Sequence, residues 1–484
     1  MAPAISKCVE SQFTFRLVRQ VYRLLLFLVT AASVSFALQL LALNGGTLTS
    51  QATDSSAASV SNSSDATTTR AVTVAASDKS GQLVNVKDYG ATGDGVTNDT
   101  AAFSKALASL ATAAGGRCLV PKGTYLISAT TNPAITSHVS SNVHLMGEGR
   151  GASVLKIAGM PAGNFLFCSG DNWSVEDLTI DMQDYFIERG GFAAIVAAGN
   201  NWRITKCALS KIGRAGINVK AGANGYIDGN LITRTTASPL TNAAILGVVD
   251  GEGHLPINMH IIDNVCVNSM IYFNGKDSVI ARNRVSGSRF GSNVCVGVYS
   301  DNVSVINNTC FGGRGRDSTK CFVSGFELWA PNSVVANNES YDNDGPGITM
   351  GGNNCIVIGN RCWNNARLTG VVGGSGIVAR AHPRLPNAAS GSIFIANSCF
   401  DTRPRGAMTQ AYGYNEVGMG LRDIKQFGND YNRNRVGPAK VQAQGEYAEH
   451  LQVSTGIKNR LTGLADDPDL PDTTRRAARQ YLAR

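Results

Sequence analysis

The chain has 484 residues and a formal charge of +8, from 43 Lys and Arg against 35 Asp and Glu. Charged residues make up only 16% and hydrophobic ones 43%, with 53 Gly. This excludes general disorder and points to short strands and turns rather than helices. One group of cations lies at the N-terminal end (Lys7, Arg16, Arg19 and Arg23) and another run at the C-terminal end (Arg475 to Arg484), with no basic patch interleaved with aromatics between them, so no nucleic-acid partner is expected.

Residues 1–23 carry the cationic flank of the apolar run LLLFLVTAASVSFALQLLAL, residues 24–43. Twenty uncharged residues span about 30 Å as a helix, enough to cross a bilayer. The positive-inside rule puts residues 1–23 in the cytoplasm and the body in the periplasm or exterior. The expectation is therefore a single-pass inner-membrane protein with an uncleaved anchor. A cleaved signal peptide, with Ser35-Phe36-Ala37 as its small-residue site, is the alternative. Residues 44–80 are mostly Ser, Thr, Ala and Asp and read as a flexible tether.

The body is expected over 81–436, with a tail at 437–484. It opens with LVNVKDYGATGDGVTNDTAAFSKALASL, residues 83–110. Val84 and Val86 alternate as a strand, and the glycines at 90, 93 and 95 make a tight turn. Asp99 or Thr100 can cap a helix whose Phe103, Ala106, Leu107 and Leu110 share one face. Gly115-Gly116 ends that helix, and RCLVPKGTYLI (117–127) reads as strand–turn–strand. No Gly-Lys-Ser/Thr follows the glycines, so they do not form a phosphate loop.

DYGATGDGVTNDTAAF followed by VPKGTYLI resembles the opening of pectate-lyase-superfamily proteins, which include polygalacturonase-like enzymes, alginate epimerases and phage tailspikes. The resemblance implies a right-handed parallel β-helix whose first coil is plugged by a short helix. It speaks to fold and not to reaction.

The rest of the body supports the same all-β solenoid independently. Asn, then Val or Ile three later, then Asn six later, recurs at Asn224/Asn230, Asn258/Asn264, Asn302/Asn308, Asn332/Asn338 and Asn354/Asn360, with Asp277/Asn283 one change away. The second column falls at 178, 207, 230, 264, 283, 308, 338, 360 and 397. Each interval is one coil plus a variable loop. Stacked coils pair their strands and bury one continuous core. Asn tolerates the left-handed bend inside each coil, and its amide can bond to the coils above and below. The column therefore reads as a structural ladder.

Of eleven Cys, Cys8 falls on the cytoplasmic side. Cys266, Cys310, Cys362 and Cys399 sit two residues after the ladder, in register with Ile180, Leu209, Ile232, Val285 and Ser340, which marks an inward row of thiols. Cys310–Cys321 can close the loop between them. No C-x-x-C pair suggests zinc, and Asp177, Asp181 and Asp184 read as a solvated edge, so no metal or cofactor is expected.

Strand alternation assigns one outer face. Ile271/Phe273, Val296/Val298, Phe326/Leu328 and Ile348/Met350 point inward, so Tyr272, Asn274, Tyr299, Glu327 and Trp329 point out. Arg380 and His382 follow in the next coil, and Asn218 and Lys220 precede. Rings that stack on pyranose faces beside amides and charges suit a polysaccharide. The expected substrate-binding residues are Lys220, Tyr272, Asn274 and Trp329. The expected catalytic ones are Glu327, Tyr299, His382 and Arg380, with Asp301 as an acidic partner at the adjoining turn. The Asn-Thr-Asp, Gly-His-Gly and Arg-Ile-Lys motifs of polygalacturonases and the Asp-Pro-His of alginate epimerases are missing, which leaves lyase, epimerase and hydrolase open. The expected role is binding and processing of an extracellular acidic polysaccharide beside export-machinery proteins. A non-catalytic guide for the chain and a pectinase acting on host wall are the alternatives.

Overall fold

The Asn periodicity marks the corners of a solenoid. The computed structural model describes residues 81–128, 130–135, 138–159, 162–185, 192–235, 243–249, 252–287, 294–315, 324–368, 374–381, 389–441 and 455–483. All of these lie in one compact unit, Thr68–Arg484. Successive strands join three parallel sheets in turn: sheet A with 13 strands, sheet B with 12 and sheet C with 11. This is the parallel β-helix expected from the repeats. The residues before 81, with the apolar run 24–43, lie outside the described residues. Among the described residues no helix is long and apolar enough to cross a membrane.

The first coil explains its glycine-rich sequence. Helix α1 (Thr100–Thr112) buries Phe103, Ala106, Leu107 and Leu110 over the open end of the solenoid. Asp99 is almost fully buried and accepts from the backbone N–H of Thr92 (2.7 Å) and Gly93 (3.2 Å), so its carboxylate ties the turn to the helix start. Gly93 has φ +70°, and a Cβ there would come 2.8 Å from the Tyr125 ring. Both the backbone and the space require glycine.

At the corner between sheets A and B the ladder runs unbroken through eight coils. Each amide Nδ2 donates to the next Oδ1 along Asn230, Asn264, Asn283, Asn308, Asn338, Asn360, Asn397 and Asn429, at 2.9–3.0 Å. Each amide also donates to a strand carbonyl, as Asn308 does to Ile280 (2.8 Å). The left-handed conformation belongs to the first Asn column (Asn224, Asn258, Asn302, Asn332, Asn354) and to the residue just before each ladder Asn, such as Asp263, Arg282, Asn307 and Asn337. The ladder residue must aim its amide inward, and the turn is made by its neighbour.

The core is one continuous cluster from Val84 to Tyr431. Cys266, Cys310, Cys362 and Cys399 lie in it, fully buried, on the row that pairs Ile232 with Cys266, Val285 with Cys310 and Cys362 with Cys399. Cys310 is a free buried thiol, and Cys321 lies outside the described residues.

Within the segment 437–484, residues 437–441 and 455–483 are described. Gly437–Lys440 adds the last strand of sheet C. Helices α2 (Thr455–Asp466) and α3 (Asp472–Leu482) cover the outer face of sheet A, burying Ile457, Leu461, Leu464, Leu470 and Ala478 against Val334, Ala336, Ile356, Ile358, Ile393 and Ile395. Those strands are apolar on both faces because both faces are buried.

Candidate functional site

On sheet C the inward residues are as alternation dictates: Ile271, Phe273, Val296, Val298, Phe326, Leu328, Ile348 and Met350 are at most 1% exposed. The residues between them form two outward columns. Strand register aligns Asn218, Leu246, Tyr272, Gly297, Glu327, Thr349, Val378 and Asn415 in the first. Two residues further along each strand, the second column holds Lys220, Asn274, Tyr299, Trp329, Gly351 and Arg380.

Two glycines let the aromatic side chains lie down on this face. A Cβ on Gly297 would come 3.0 Å from the Tyr299 ring and hydroxyl, and one on Gly351 would come 2.1 Å from the Trp329 indole. Tyr299 therefore folds back over Gly297, into the gap that separates Tyr272 from Glu327. Its ring stacks on Tyr272 (centroids 4.7 Å apart, 28° between planes). Its hydroxyl donates to Glu327 Oε2 at 3.3 Å. The Trp329 indole N–H donates to the other oxygen, Oε1, at 2.9 Å. The Arg380 guanidinium carbon lies 5.9 Å from the Trp329 ring centroid. Tyr272, Tyr299, Glu327, Trp329 and Arg380 thus make one continuous set of contacts across five strands.

The electrostatics follow from that contact set. Burial, and then the Glu327 carboxylate beside it, pushes the Tyr299 phenol far above the tyrosine range. Tyr272 is raised by the same two causes. Tyr299 therefore stays protonated near neutral pH and serves as a hydrogen-bond donor to Glu327. Burial lowers Arg380, and the Glu327 charge opposes that shift.

The other expected residues fall away from this centre. Lys220 is six strands from Arg380, about 29 Å at the usual strand spacing, so the two cations cannot meet the same carboxylate. Asn274 accepts from the Ser300 hydroxyl beside Tyr299. Asp301 is exposed on the turn into sheet A, where it accepts from the Asn332 amide at 2.8 Å. Asp181 pairs with Lys211 at 3.0 Å, and Asp184 accepts from Thr235. His382 lies outside the described residues. Alternation also turns Gly297, Gly351 and Thr349 outward, but no part in the site was foreseen for them or for Asn415. A glycine opposite an aromatic on a paired outward column is the signal for the first two. Among the described residues no group of three His, Cys, Asp or Glu is placed to hold a metal ion.

Comparison with known proteins agrees with the solenoid. A family model for "Rhamnogalacturonase A/epimerase, pectate lyase-like" matches residues 83–371. Mannuronan C5-epimerase AlgE2 of Azotobacter vinelandii is 28% identical over 275 residues, 55% of this chain and 22% of that protein; the chain thus spans about a fifth of this relative. Among solved structures, the A-module of Azotobacter vinelandii mannuronan C-5 epimerase AlgE4 superposes with a TM-score of 0.55 at 16% identity, covering 76% of this chain and all of the module. The Dettilon tailspike protein superposes with a TM-score of 0.51 at 16% identity, covering 74% of this chain and 68% of that one. These two structural likenesses show the fold.

Proposed function

The chain belongs to the rhamnogalacturonase A/epimerase, pectate lyase-like family, whose model takes in more than half of it, and on that premise we propose that it binds an acidic polysaccharide along the outer face of sheet C and acts on a uronate unit at Glu327. The observation that carries this reading is the contact set itself: one carboxylate held by a phenol and an indole, with a guanidinium on the indole. From Lys220 to Arg380, Glu327 is the one carboxylate in the two outward columns among the described residues. A glycosidase needs two carboxylates flanking the bond, so hydrolysis fits poorly. Removing the proton at C5 of a uronate needs one base, a cation on the sugar carboxylate and a proton donor. Glu327 takes the proton, Arg380 pairs with the carboxylate through charge-assisted bonds, and Tyr299 donates. An epimerase returns the proton to the opposite face of C5; a lyase protonates the leaving oxygen at C4. The mannuronan C5-epimerase relatives support uronate as the substrate class.

In the same proposal the body works outside the cytoplasmic membrane, held by residues 24–43 and the tether, within extracellular-polysaccharide biosynthesis or export. The support is the cationic flank before the apolar run. A non-catalytic guiding role is the second reading, favoured by one observation: both Glu327 oxygens already accept hydrogen bonds.

The experiment incubates the purified protein with polymannuronate, alginate and polygalacturonate. Product composition is followed by proton NMR, unsaturated ends by absorbance, and binding by affinity electrophoresis. Glu327→Gln is expected to lower turnover by about 10²–10⁴-fold while binding persists. Loss of binding in Trp329→Ala, with Glu327→Gln indistinguishable from wild type, makes the protein a guide rather than an enzyme. A folded variant changed at all five contact residues that still behaves as wild type refutes the site.

A further inference from the structure

The outer face of sheet B changes character over its last six coils. Strand register stacks Arg284, Thr309, Glu339, Arg361 and Ser398 in one outward column, and Asp430 bridges to Ser398 and extends it. Two residues further along each strand, a second column runs Ser286, Phe311, Tyr341, Trp363 and Phe400, and exposed Asn432 ends it two residues after Asp430. The four rings stack at centroid distances of 5.2, 4.4 and 6.3 Å, with successive planes within 15°. Arg284 lies 4.5 Å from the Phe311 centroid, and Arg361 lies 4.9 Å from that of Trp363. All four rings are only half-buried, while Arg284, Arg361 and Asp430 are exposed. On sheet A the apolar outer face of the coils bearing Val334, Ile356 and Ile393 is closed by α2 and α3. The charged column of sheet B instead borders an open cleft of about 700 Å³. Among the described residues Arg284, Glu339, Arg361 and Asp430 form no ion pair, although Glu339 and Arg361 are register neighbours.

Both columns are palindromic in their chemistry. The first runs cation, hydroxyl, acid, cation, hydroxyl, acid. Reversed against itself, it sets every cation on an acid and every hydroxyl on a hydroxyl. The second runs polar, four rings, polar, and is the same in either direction. We infer that this face is an interface for a second copy of the chain, packed antiparallel on a two-fold axis. The axis lies parallel to the strands, between the coils of Glu339 and Arg361. Glu339 then faces the partner's Arg361, Arg284 faces the partner's Asp430, and Thr309 faces the partner's Ser398. Phe311 meets the partner's Phe400, and Tyr341 meets the partner's Trp363. A two-fold makes each of these contacts twice, as an isologous interface requires. A two-fold along the solenoid axis would set the charged column on the rings and pair no charges.

The residue types fit that role. Tyr, Trp, Phe and Arg are enriched at protein interfaces, and Trp, Tyr and Arg carry most of the binding energy there. The charges contribute register, because a shift of one coil sets Arg361 against the partner's Ser398 and Glu339 against itself, so complementarity selects one alignment. Five strand spacings make the face about 24 Å long, and it is only two columns wide. It therefore falls at the small end of specific interfaces, and association in the micromolar range is expected. The face belongs to sheet B, so this inference does not depend on the role proposed for Glu327 on sheet C.

The test is sedimentation velocity on the full chain in a mild detergent, across the micromolar range. Wild type is expected to pass from monomer to dimer, with a Kd that rises severalfold as salt screens the pairs. Glu339→Arg and Arg361→Glu each bring like charges together twice, and each should raise Kd by about a hundredfold or more. Mixed with each other, the two variants regain both pairs, so a fluorophore on one should report a heterodimer of near wild-type affinity. Circular dichroism checks that each variant folds. If a reversal does not fold, Trp363→Ala takes its place and should raise Kd by about tenfold or more. A wild type that stays monomeric throughout, a dimer indifferent to these changes, or folded reversal variants that fail to pair when mixed overturns the inference. So does a monomer whose affinity for polymannuronate falls in Trp363→Ala, since that result gives the face to saccharide.

Discussion

Gly351 supplies the space in which the Trp329 indole lies, since a Cβ at Gly351 would stand 2.1 Å from the ring. The indole in turn holds Oε1 of Glu327. A residue with no side chain, one coil away, therefore fixes the orientation of the only carboxylate in the contact set.

Gly351→Ala is expected to tilt the indole off the face, release Glu327 and weaken polysaccharide binding severalfold. The protein should still fold, with a loss of about 1–3 kcal/mol from overpacking. Tryptophan fluorescence reports the ring's environment and urea melts report stability. An unchanged emission maximum together with unchanged binding would show that the indole does not depend on the gap.

The ladder makes a second test. Asn338 makes four side-chain bonds: its Oδ1 accepts from Asn308 N (2.9 Å) and Nδ2 (3.0 Å), and its Nδ2 donates to Val305 O (2.8 Å) and Asn360 Oδ1 (3.0 Å). Asn338→Leu strands a buried N–H and a buried carbonyl, each worth about 1–3 kcal/mol. We expect a total loss of about 3–5 kcal/mol, seen as a lower urea midpoint with little change in m-value. Asn224→Ala, at a half-buried position of the outer column, is expected to cost much less.

The ladder was legible because its spacing is set by the coil and its residue type by the bond it makes. The outward face was legible for the same reason, since alternation alone separated Glu327 from Phe326 and Leu328. The helices over sheet A were not read, although the signal was present. Strands 334–336, 356–358 and 393–395 read VVA, IVI and IFI, with no polar residue for solvent, whereas 303–306 reads VSVI. A strand apolar on both faces needs a cover. The contact from Tyr299 to Glu327 was not legible either. It depends on Gly297 letting the ring fold back, a relation between side chains on neighbouring coils that no period in the sequence records.

The buried cysteines, Cys266 of the thiol row among them, predict an alkaline limit. Burial lifts the thiols of Cys118, Cys207, Cys266 and Cys355 from the ordinary 9.0 to about 12. Above pH 9 the unfolded chain releases those protons while the folded chain keeps them, so the folded state binds more protons and loses stability as pH rises. The contribution is intact below pH 9 and is lost progressively between 9 and 12. Melting temperature should therefore fall steadily above pH 9, less steeply in Cys266→Val. A slope that is identical in the two proteins would rule out this thiol as a source. On the same row Cys362→Asp buries an unpaired charge and should abolish soluble expression, while Cys362→Val, close in volume, should cost under about 1.5 kcal/mol.

The C-terminal helices are the last point of test. Leu461 on α2 is fully buried against sheet A, and Arg460 beside it donates to the backbone carbonyls of Asn332 and Asn354 at the corner of two successive coils. The helices therefore grip the solenoid by an apolar face and by a guanidinium on carbonyls that the left-handed turns leave open. Leu461→Ala is expected to cost about 2–5 kcal/mol if α2 and sheet A melt as one unit. Removing residues 455–484 uncovers Ile356, Ile358, Ile393 and Ile395 together, a contiguous apolar patch of the kind that drives association. The truncated protein should bind a hydrophobic dye and aggregate, yet keep the strand signature in its far-ultraviolet circular dichroism. A monomeric, dye-silent truncation with wild-type melting would mean that these helices contribute nothing to the solenoid they cover.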